Sequence, residues 1–394
     1  MKDFLVACVG KPSAGKSSFL NAVSDAAAKV GNFPFTTIKP NHGVAYVHID
    51  CPCKRFGKQA QCAPKHGKCV DGTRMVPLRI MDVAGLVPGA STGEGLGNQF
   101  LDDLRTADLL IHVVDASGTT DAAGKWPNIV RRHTATAQSA AETLALQFSG
   151  YGANLSCVQK SLDRCGMKDG LDTWDEDAVR KVVDGFLDER FPTIIALNKI
   201  DLPDSDKNVD KIFRKYDPSK IILTSALAEV FLRKLHSQGF INYHEGTEFF
   251  DLADESNSLK PIPAATQSRL EKVQDLVLFR YGNTGVQATL KLAMDTLQLI
   301  PAFPVRNINS FGDGVAGGGS SGGGGKEKTG VFRDCVLVKK GTKVGDLMAD
   351  LLGESKKFCL YAETVGGVRL GEDDEITPNN SIMSFKLSGD AVRE

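Results

Sequence analysis

Short, continuous apolar runs recur along the chain, each closed by small or polar residues. Phe4–Val9 (FLVACV), Leu109–Val114 (LLIHVV), Thr193–Leu197 (TIIAL) and Ile221–Leu223 (IIL) are of this kind. Their length predicts strands, and their near-unbroken hydrophobicity predicts burial on both faces, as in a parallel sheet. His112 lies inside one such run and reads as a packed or edge histidine. Gly43–Ile49 and Met75–Met81 predict two further strands. Between the runs the period changes to that of a helix. It does so from Ser18 to Val23, over Ala135–Phe148 and Asp175–Glu189, and through much of 229–300. Ala264–Phe279 is the clearest case there, with Lys and Arg opposite its apolar face. Strands alternating with helices predict an α/β fold with a mostly parallel sheet. The last part reads differently. Strands at Cys335–Val338, Phe358–Ala362 and Ser381–Lys386, a turn at Gly341 and one helix at Val344–Leu352 predict a small β-grasp. The expected organisation is therefore an α/β domain over 1–300 with a helical insertion at about 120–190, starting near Trp126. A loop or linker follows over 301–330, where GGGSSGGGG occupies 317–325, and the β-grasp occupies 331–388.

The first strand leads directly into GKPSAGKS at residues 10–17, which fits G-x-x-x-x-G-K-[ST]. Strand, glycine loop and helix in that order predict a phosphate-binding loop. Glycines let backbone N–H groups face a polyphosphate, and the helix start adds a positive dipole end. Candidate contacts are Gly10, Lys11, Pro12, Ser13, Ala14, Gly15, Lys16, Ser17 and Ser18. Lys16 would reach the outer phosphates, and the Ser17 hydroxyl would ligate Mg²⁺.

Asn32-Phe33-Pro34-Phe35-Thr36-Thr37-Ile38-Lys39-Pro40 resists helix because of its two prolines and β-branched threonines. Thr37 is the candidate second protein ligand of Mg²⁺, with Thr36 as the alternative. The strand ending at Met81 delivers Asp82-Val83-Ala84-Gly85, a D-x-x-G element. Asp82 would hold the metal through water, and the Gly85 N–H would approach a γ-phosphate, so that the loop responds to hydrolysis. Lys16, Thr37 and Gly85 are thus the catalytic candidates. Leu86 stands where many nucleotide hydrolases carry a polar residue that orients the attacking water, so turnover is expected to be slow or assisted from elsewhere. The glycine-rich stretch from Leu86 to Asn98 reads as a switch rather than a second nucleotide site.

The strand at Thr193–Leu197 ends in Asn198-Lys199-Ile200-Asp201. The Asp201 carboxylate can accept two hydrogen bonds from guanine N1–H and its 2-amino group, a pair that adenine does not offer. Asn198 would brace the pocket, and the Lys199 stem would cover the base. Thr224-Ser225-Ala226 follows the next strand and would bring a backbone N–H of Ser225 or Ala226 near O6.

Residues 51–69 hold Cys51, Cys53, Cys62 and Cys69 together with Lys54, Arg55, Lys58, Lys65, His66 and Lys68. The C-x-C start is not the usual C-x₂₋₄-C knuckle. The expectation is a basic surface loop with free thiols. A Zn²⁺ site is the rival reading, and the charges would also suit phosphate contacts to RNA.

The 394 residues carry a formal net charge of −1, which argues neither for nor against nucleic acid. No apolar run is long enough to span a bilayer, and the N-terminus does not read as a signal peptide. The nine cysteines then read as reduced thiols, and a cytoplasmic protein is expected.

The motifs GKPSAGKS, NFPFTTIKPN, DVAGLVPGASTGEGLGNQFLDDLRTADLL, NKID and TSA, in this order, resemble the Obg family of GTPases, in the branch related to YchF. The resemblance implies a Ras-like P-loop core, Mg²⁺, hydrolysis of GTP to GDP, and association with ribosomes or RNA; an activating partner is one of the sources of the group that Leu86 does not supply. YchF proper has an altered base motif and favours ATP. The intact Asn198-Lys199-Ile200-Asp201 here predicts GTP. Relatives that need potassium usually have Asn where this chain has Ser13, which argues against that requirement. VLVKKGTKVGDLMADL, FCLYAE and RLGEDDEITPNNSIMSFKL resemble a TGS domain, which implies RNA or ribosome contact, with Lys339, Lys340 and Lys343 as phosphate-facing candidates. The alternative function is an RNA- or ribosome-binding adaptor that keeps GTP as a structural ligand.

Overall fold

A computed structural model describes residues 4–11, 13–24, 41–83, 103–118, 140–148, 153–167, 174–253, 258–312 and 330–388. Pro12, Thr36, Thr37, Ala84, Gly85, Leu86, the rest of the glycine-rich stretch to Asn98 and the 317–325 run lie outside the described residues. The chain divides into two compact units. The larger comprises 4–45 and 79–293, and the smaller 46–78 and 294–394.

One sheet runs in the order β2-β4-β1-β5-β6-β7, of whose strands β1, β5, β6 and β7 and residues 41–45 and 79–82 belong to the larger unit. These strands are β1 (Leu5–Val9), β2 (Asn41–Asp50), β4 (Thr73–Asp82), β5 (Leu109–Asp115), β6 (Thr193–Asn198) and β7 (Ile221–Thr224). β1 pairs parallel to β4 and β5, β5 to β6, and β6 to β7. Every residue of β1 is buried, which is why its sequence is apolar without alternation. The chain crosses from one side of β1 to the other, so the carboxyl end of β1 is the topological switch point where open α/β sheets bind ligands.

The insertion before β6 forms helices at Ala140–Gln147, Leu155–Cys165 and Glu176–Arg190. Asn154 and Asp175 cap the second and third, accepting from Cys157 N and Ala178 N. Leu144, Val158, Leu162, Val182 and Phe186 give them a core of their own, and Phe148 stacks on Phe186. Gly185 lets two of these helices meet closely, since a Cβ there would lie 2.5 Å from Cys165 Sγ. The helix Ala264–Val273 and the π-helical stretch Gln274–Leu278 bury Leu270 and Leu278 against Leu232, Leu235 and Tyr243. They belong to the core of the larger unit. β8 (Asn242–Tyr243) and β9 (Phe250–Asp251) form a short antiparallel ribbon beside them. Among the described residues no helix is long and apolar enough to cross a membrane.

The smaller unit contains a five-stranded sheet in the order β11-β10-β14-β12-β13. The strands are β10 (Leu299–Pro304), β11 (Val336–Lys339), β12 (Cys359–Thr364), β13 (Val368–Leu370) and β14 (Ile382–Leu387). β10 is antiparallel to β11 and parallel to β14, and the helix Val344–Leu352 packs Val344, Leu347 and Met348 on the sheet, which is the β-grasp arrangement. The expected division at residue 300 therefore falls inside a strand. Pro301 and Pro304 disguise β10 as a linker, because proline is ordinarily excluded from a central strand. Residues 305–335 thus join two paired strands of one sheet.

Residues 46–78 belong to this same unit. β3 (Cys69–Val70) pairs antiparallel with the start of β4. Ala63 N donates to Val331 O at 3.2 Å, Val331 N to Gln61 O at 2.9 Å and Lys65 N to Arg333 O at 2.8 Å. Arg74, only 1% exposed, donates to the carbonyl oxygens of Phe332 and Arg333. A buried guanidinium is costly unless its donors are met; these carbonyls take Nη1 and Nη2, while Nε has no hydrogen-bond partner among the described residues.

In the larger unit Glu229 is fully buried on the helix Ala226–Ser237 and accepts from Tyr243 Oη at 3.0 Å and from Thr284 Oγ1. Burial pushes its carboxyl up to about 7 in spite of those hydrogen bonds. A raised folded-state value means that its contribution is whole below the ordinary carboxylate range and is lost as the pH climbs through 7. Glu229→Gln keeps an acceptor for both hydroxyls and removes the titration. Between about pH 5 and about pH 8 the natural chain should lose on the order of 3 kcal/mol that the variant keeps, read from urea midpoints across that range.

Candidate nucleotide site

The loop between β1 and the helix Lys16–Val23 lies at the carboxyl end of the sheet. Gly10 has φ +146°, and a Cβ there would lie 2.3 Å from Val113 O. Gly15 caps the helix at φ +100°, and a Cβ there would lie 2.2 Å from Asn198 Nδ2. Both glycines are thus required by left-handed geometry and by close approach to neighbouring strand ends. Ser13 also takes positive φ, 62°.

Lys16 is buried, and its ammonium donates to Gly10 O at 3.1 Å and Lys11 O at 3.0 Å, so the loop's own carbonyls fix its position. Burial pulls its pKa down, and the Asp82 carboxylate opposes the shift. Beneath the loop, burial and then the Asp82 charge hold the Cys8 thiol well above its ordinary range. Burial and then the charges of Lys11 and Lys16 keep His112 on the neutral side. Ser17 Oγ donates to Asp82 Oδ2 at 2.5 Å. The strand register Cys8↔Asp82 brings this carboxylate to the start of the helix. A buried carboxylate oxygen and a hydroxyl oxygen side by side form a hard donor pair that fits Mg²⁺, which also draws ligands from phosphate and water. Ser18 is half-buried in the first turn of the helix, and Val83 N donates to Cys8 O at 3.2 Å.

The second half of the site comes from the ends of β6 and β7. Asn198 is buried, and its Nδ2 donates to Ala14 O at 3.0 Å. Its Oδ1 accepts from Ala226 N at 3.0 Å. One amide thus joins the phosphate loop to the loop after β7. Lys199 sits at φ +68°, and its ammonium pairs with Asp115 Oδ2 at 2.7 Å. Asp201 Oδ1 accepts from Ser225 Oγ at 2.6 Å, which orients the carboxylate that would face a base.

Most of the residues named from the sequence are therefore brought to one edge. Gly10, Lys11, Ser13, Ala14, Gly15, Lys16, Ser17, Ser18, Asp82, Val83, Asn198, Lys199, Asp201, Ser225 and Ala226 occupy loops or element ends at the carboxyl side of the sheet. The role expected of the Ser225 and Ala226 N–H groups differs. Ser225 N donates to Thr284 O at 2.9 Å and Ala226 N to Asn198, so both are engaged within the protein. What this stretch supplies is the Ser225 hydroxyl.

Sequence reasoning missed Asp115 and the 284–285 turn. Asp115 has a readable signal, because it ends an apolar strand two residues before Ser117, whose N–H and hydroxyl it accepts at 2.9 and 2.5 Å. Gly285, at φ +76°, lies so close to β7 that a Cβ would stand 1.8 Å from Leu223 O. Nothing in the sequence around it announces that contact.

The four cysteines of 51–69 also depart from expectation. Cys51 and Cys53 are buried rather than part of an exposed loop, and the four Sγ atoms lie within 4.8 Å of one another.

The chain is similar to known GTP-binding proteins over nearly its whole length. A profile described as "Obg-like GTPase YGR210-like, G4 motif-containing domain" matches residues 196–307, and one described as "50S ribosome-binding GTPase" matches residues 5–143. A GTP-binding protein of Schizosaccharomyces pombe is 47% identical over 98% of this chain and 98% of its own length. The ribosome-binding ATPase YchF of Mycoplasma pneumoniae is 43% identical over 27% of each chain. A GTP-binding protein of Pyrococcus horikoshii OT3, solved by crystallography, superposes with a TM-score of 0.64 and 26% identity, covering 98% of this chain and all of its own.

Asn198→Ala would leave Ala14 O and Ala226 N without their partner inside a buried corner. Unfolding of the larger unit should become easier by about 2–4 kcal/mol, measured by urea titration, with the phosphate loop losing hydrogen-exchange protection first.

Proposed function

This chain belongs to the Obg-like GTPases, in the branch related to YchF, and from that premise we propose that it binds GTP with Mg²⁺ and hydrolyses it to GDP and phosphate as a conformational switch on the ribosome. The observation that carries the reading is the Asn198 amide, hydrogen-bonded to both the phosphate loop and the base loop, beside an Asp201 carboxylate held by Ser225. That arrangement supports a guanine nucleotide spanning from Lys16 to Asp201. Asp201 takes the two N–H donors of guanine, and the Lys199 stem, tethered to Asp115, covers the ring.

Residues Gly10–Ser17 hold the β- and γ-phosphates through backbone N–H groups and the Lys16 ammonium. Ser17 and Thr37 would be the direct protein ligands of Mg²⁺, and Asp82 would hold it through water. Held there, the ion would supply positive charge against the charge of the phosphates. A water oxygen forms the new bond to the γ-phosphorus while the bond to the β-bridging oxygen breaks, giving GDP and phosphate. Gly85 senses the γ-phosphate. A leucine at position 86 offers no polar group to orient the attacking water, so intrinsic turnover is slow or uses a group from elsewhere in the chain or from an activating partner. Ribosome contact is carried over from the name of the family matched at 5–143 and from the relative YchF. The β-grasp, which resembles a TGS domain, takes the RNA side. Leu86 also favours one alternative, an adaptor that keeps its GTP.

Calorimetry with GTP and ATP on the natural chain and on Asp201→Asn tests the pocket. The variant should lose about 2–4 kcal/mol of GTP affinity, roughly 30- to 1000-fold, with ATP binding unchanged. Equal affinity of the natural chain for ATP and GTP would sink the guanine assignment. Single-turnover hydrolysis should be slow alone and faster with large ribosomal subunits. GTP that remains intact in both conditions would leave the adaptor.

A further inference from the structure

The four thiols of the 51–69 segment converge although the chain bringing them together is irregular. Cys51 precedes the short helix Pro52–Arg55, Cys53 lies within it, Cys62 follows the turn Gln59–Gln61 and Cys69 opens β3. Backbone hydrogen bonds set each position. Cys51 N donates to Gly72 O at 2.8 Å, Lys58 N to Cys53 O at 2.8 Å and Cys62 N to Gln59 O at 3.1 Å. The result is two close sulfur pairs, Cys51–Cys62 at 3.7 Å and Cys53–Cys69 at 3.6 Å, with all four Sγ atoms within 4.8 Å of one another.

These separations discriminate between chemistries. A disulfide would need its sulfurs at about 2.0 Å. A tetrahedron of thiolates at about 2.3 Å from a central ion has edges of about 3.8 Å, close to the two pair distances. A multi-iron cluster would hold the sulfurs further apart, around its own irons and sulfides. Ordinary core cysteines pack as small apolar groups and have no reason to turn four sulfurs toward one point. Among the described residues this is the cluster of His, Cys, Asp and Glu whose ligand atoms converge in this way.

We propose that Cys51, Cys53, Cys62 and Cys69 bind one zinc ion in a closed tetrathiolate site. With four protein ligands no position is open to substrate, so the ion is structural. Its work is to hold the 51–69 segment onto the core of Phe303, Val305, Phe311, Val331 and Phe332, with which Cys51 and Cys53 are buried. The Gln61–Lys65 strap is then fixed in its backbone pairing with Val331–Arg333. Four thiolates around Zn²⁺ leave a formal charge of −2. The exposed Lys54, Arg55, Lys65 and Lys68 of the same segment offset it. The basic residues thus have a partner that requires no nucleic acid. This site lies wholly in the smaller unit and does not depend on the nucleotide reading.

The test uses the full chain purified in a reductant without added metal. Elemental analysis should find one zinc per chain, released stoichiometrically when a mercurial titrates the thiols. Replacement by Co²⁺ should give the visible absorption of a tetrahedral thiolate site. Cys62→Ser and Cys69→Ser should lose most of the zinc and shift or abolish the cobalt spectrum. Cys157→Ser and Cys359→Ser, outside the cluster, should leave both unchanged. Should a ligand variant fail to fold, the mercurial release and the cobalt spectrum of the natural chain still decide. Less than a tenth of an equivalent of zinc together with no cobalt spectrum would overturn the proposal. So would iron in place of zinc, or a cobalt spectrum that survives both ligand substitutions.

Discussion

The position of one side-chain amide governs the architecture of the larger unit. Asn198 spans from Ala14 O to Ala226 N, and its Nδ2 occupies the space that any side chain at position 15 would need. Gly15 is therefore fixed by Asn198 as much as by its own φ. The helix Lys16–Val23 starts where it does because the loop before it is pinned to the end of β6. Parallel pairing of β1 with β5 and of β5 with β6 sets the two anchor points, and the amide spans them. The Lys16 loop and the loop after β7 are thus mechanically one piece. A shift of one strand end by a fraction of an ångström would be felt at both.

How much could be read from the sequence depended on how local the cause was. β1, β5, β6 and β7 were legible because burial on both faces leaves a continuous apolar run, and each run stops at a polar residue at the sheet's carboxyl edge. The phosphate loop was legible because tight backbone geometry demands glycine. Asp82, Asn198 and Asp201 were legible because their spacing to strand ends is fixed. What escaped is set by distant partners. β10 contains two prolines and reads as a linker until its neighbours β11 and β14 are in place. The Ser225 and Ala226 N–H groups looked available because Thr284 and Asn198, which take them, lie far away in sequence. The cysteines escaped because irregular backbone, and not a knuckle motif, brings them together.

The smaller unit makes the same point about arginine. A buried Arg inside a strand of mixed pattern looks like a surface residue in sequence. In the structure Arg74 holds the backbone of Phe332 and Arg333, across the sequence gap between the two parts of the unit. Hydrogen bonds from 61–65 to 331–333 repeat the connection without side chains. Neither part has its full hydrogen bonding without the other.

That discontinuity has a consequence in time. Residues 46–78 are synthesised early, and their partners at 294–387 come only after the whole of 79–293. At about 5–20 residues per second the early part waits on the order of 10–40 s for its partner strands. Throughout that interval Phe56 and the four thiols have no Phe311 or Phe332 to cover them. The order of translation thus leaves a half-core in the nascent chain whose covering strands are made last.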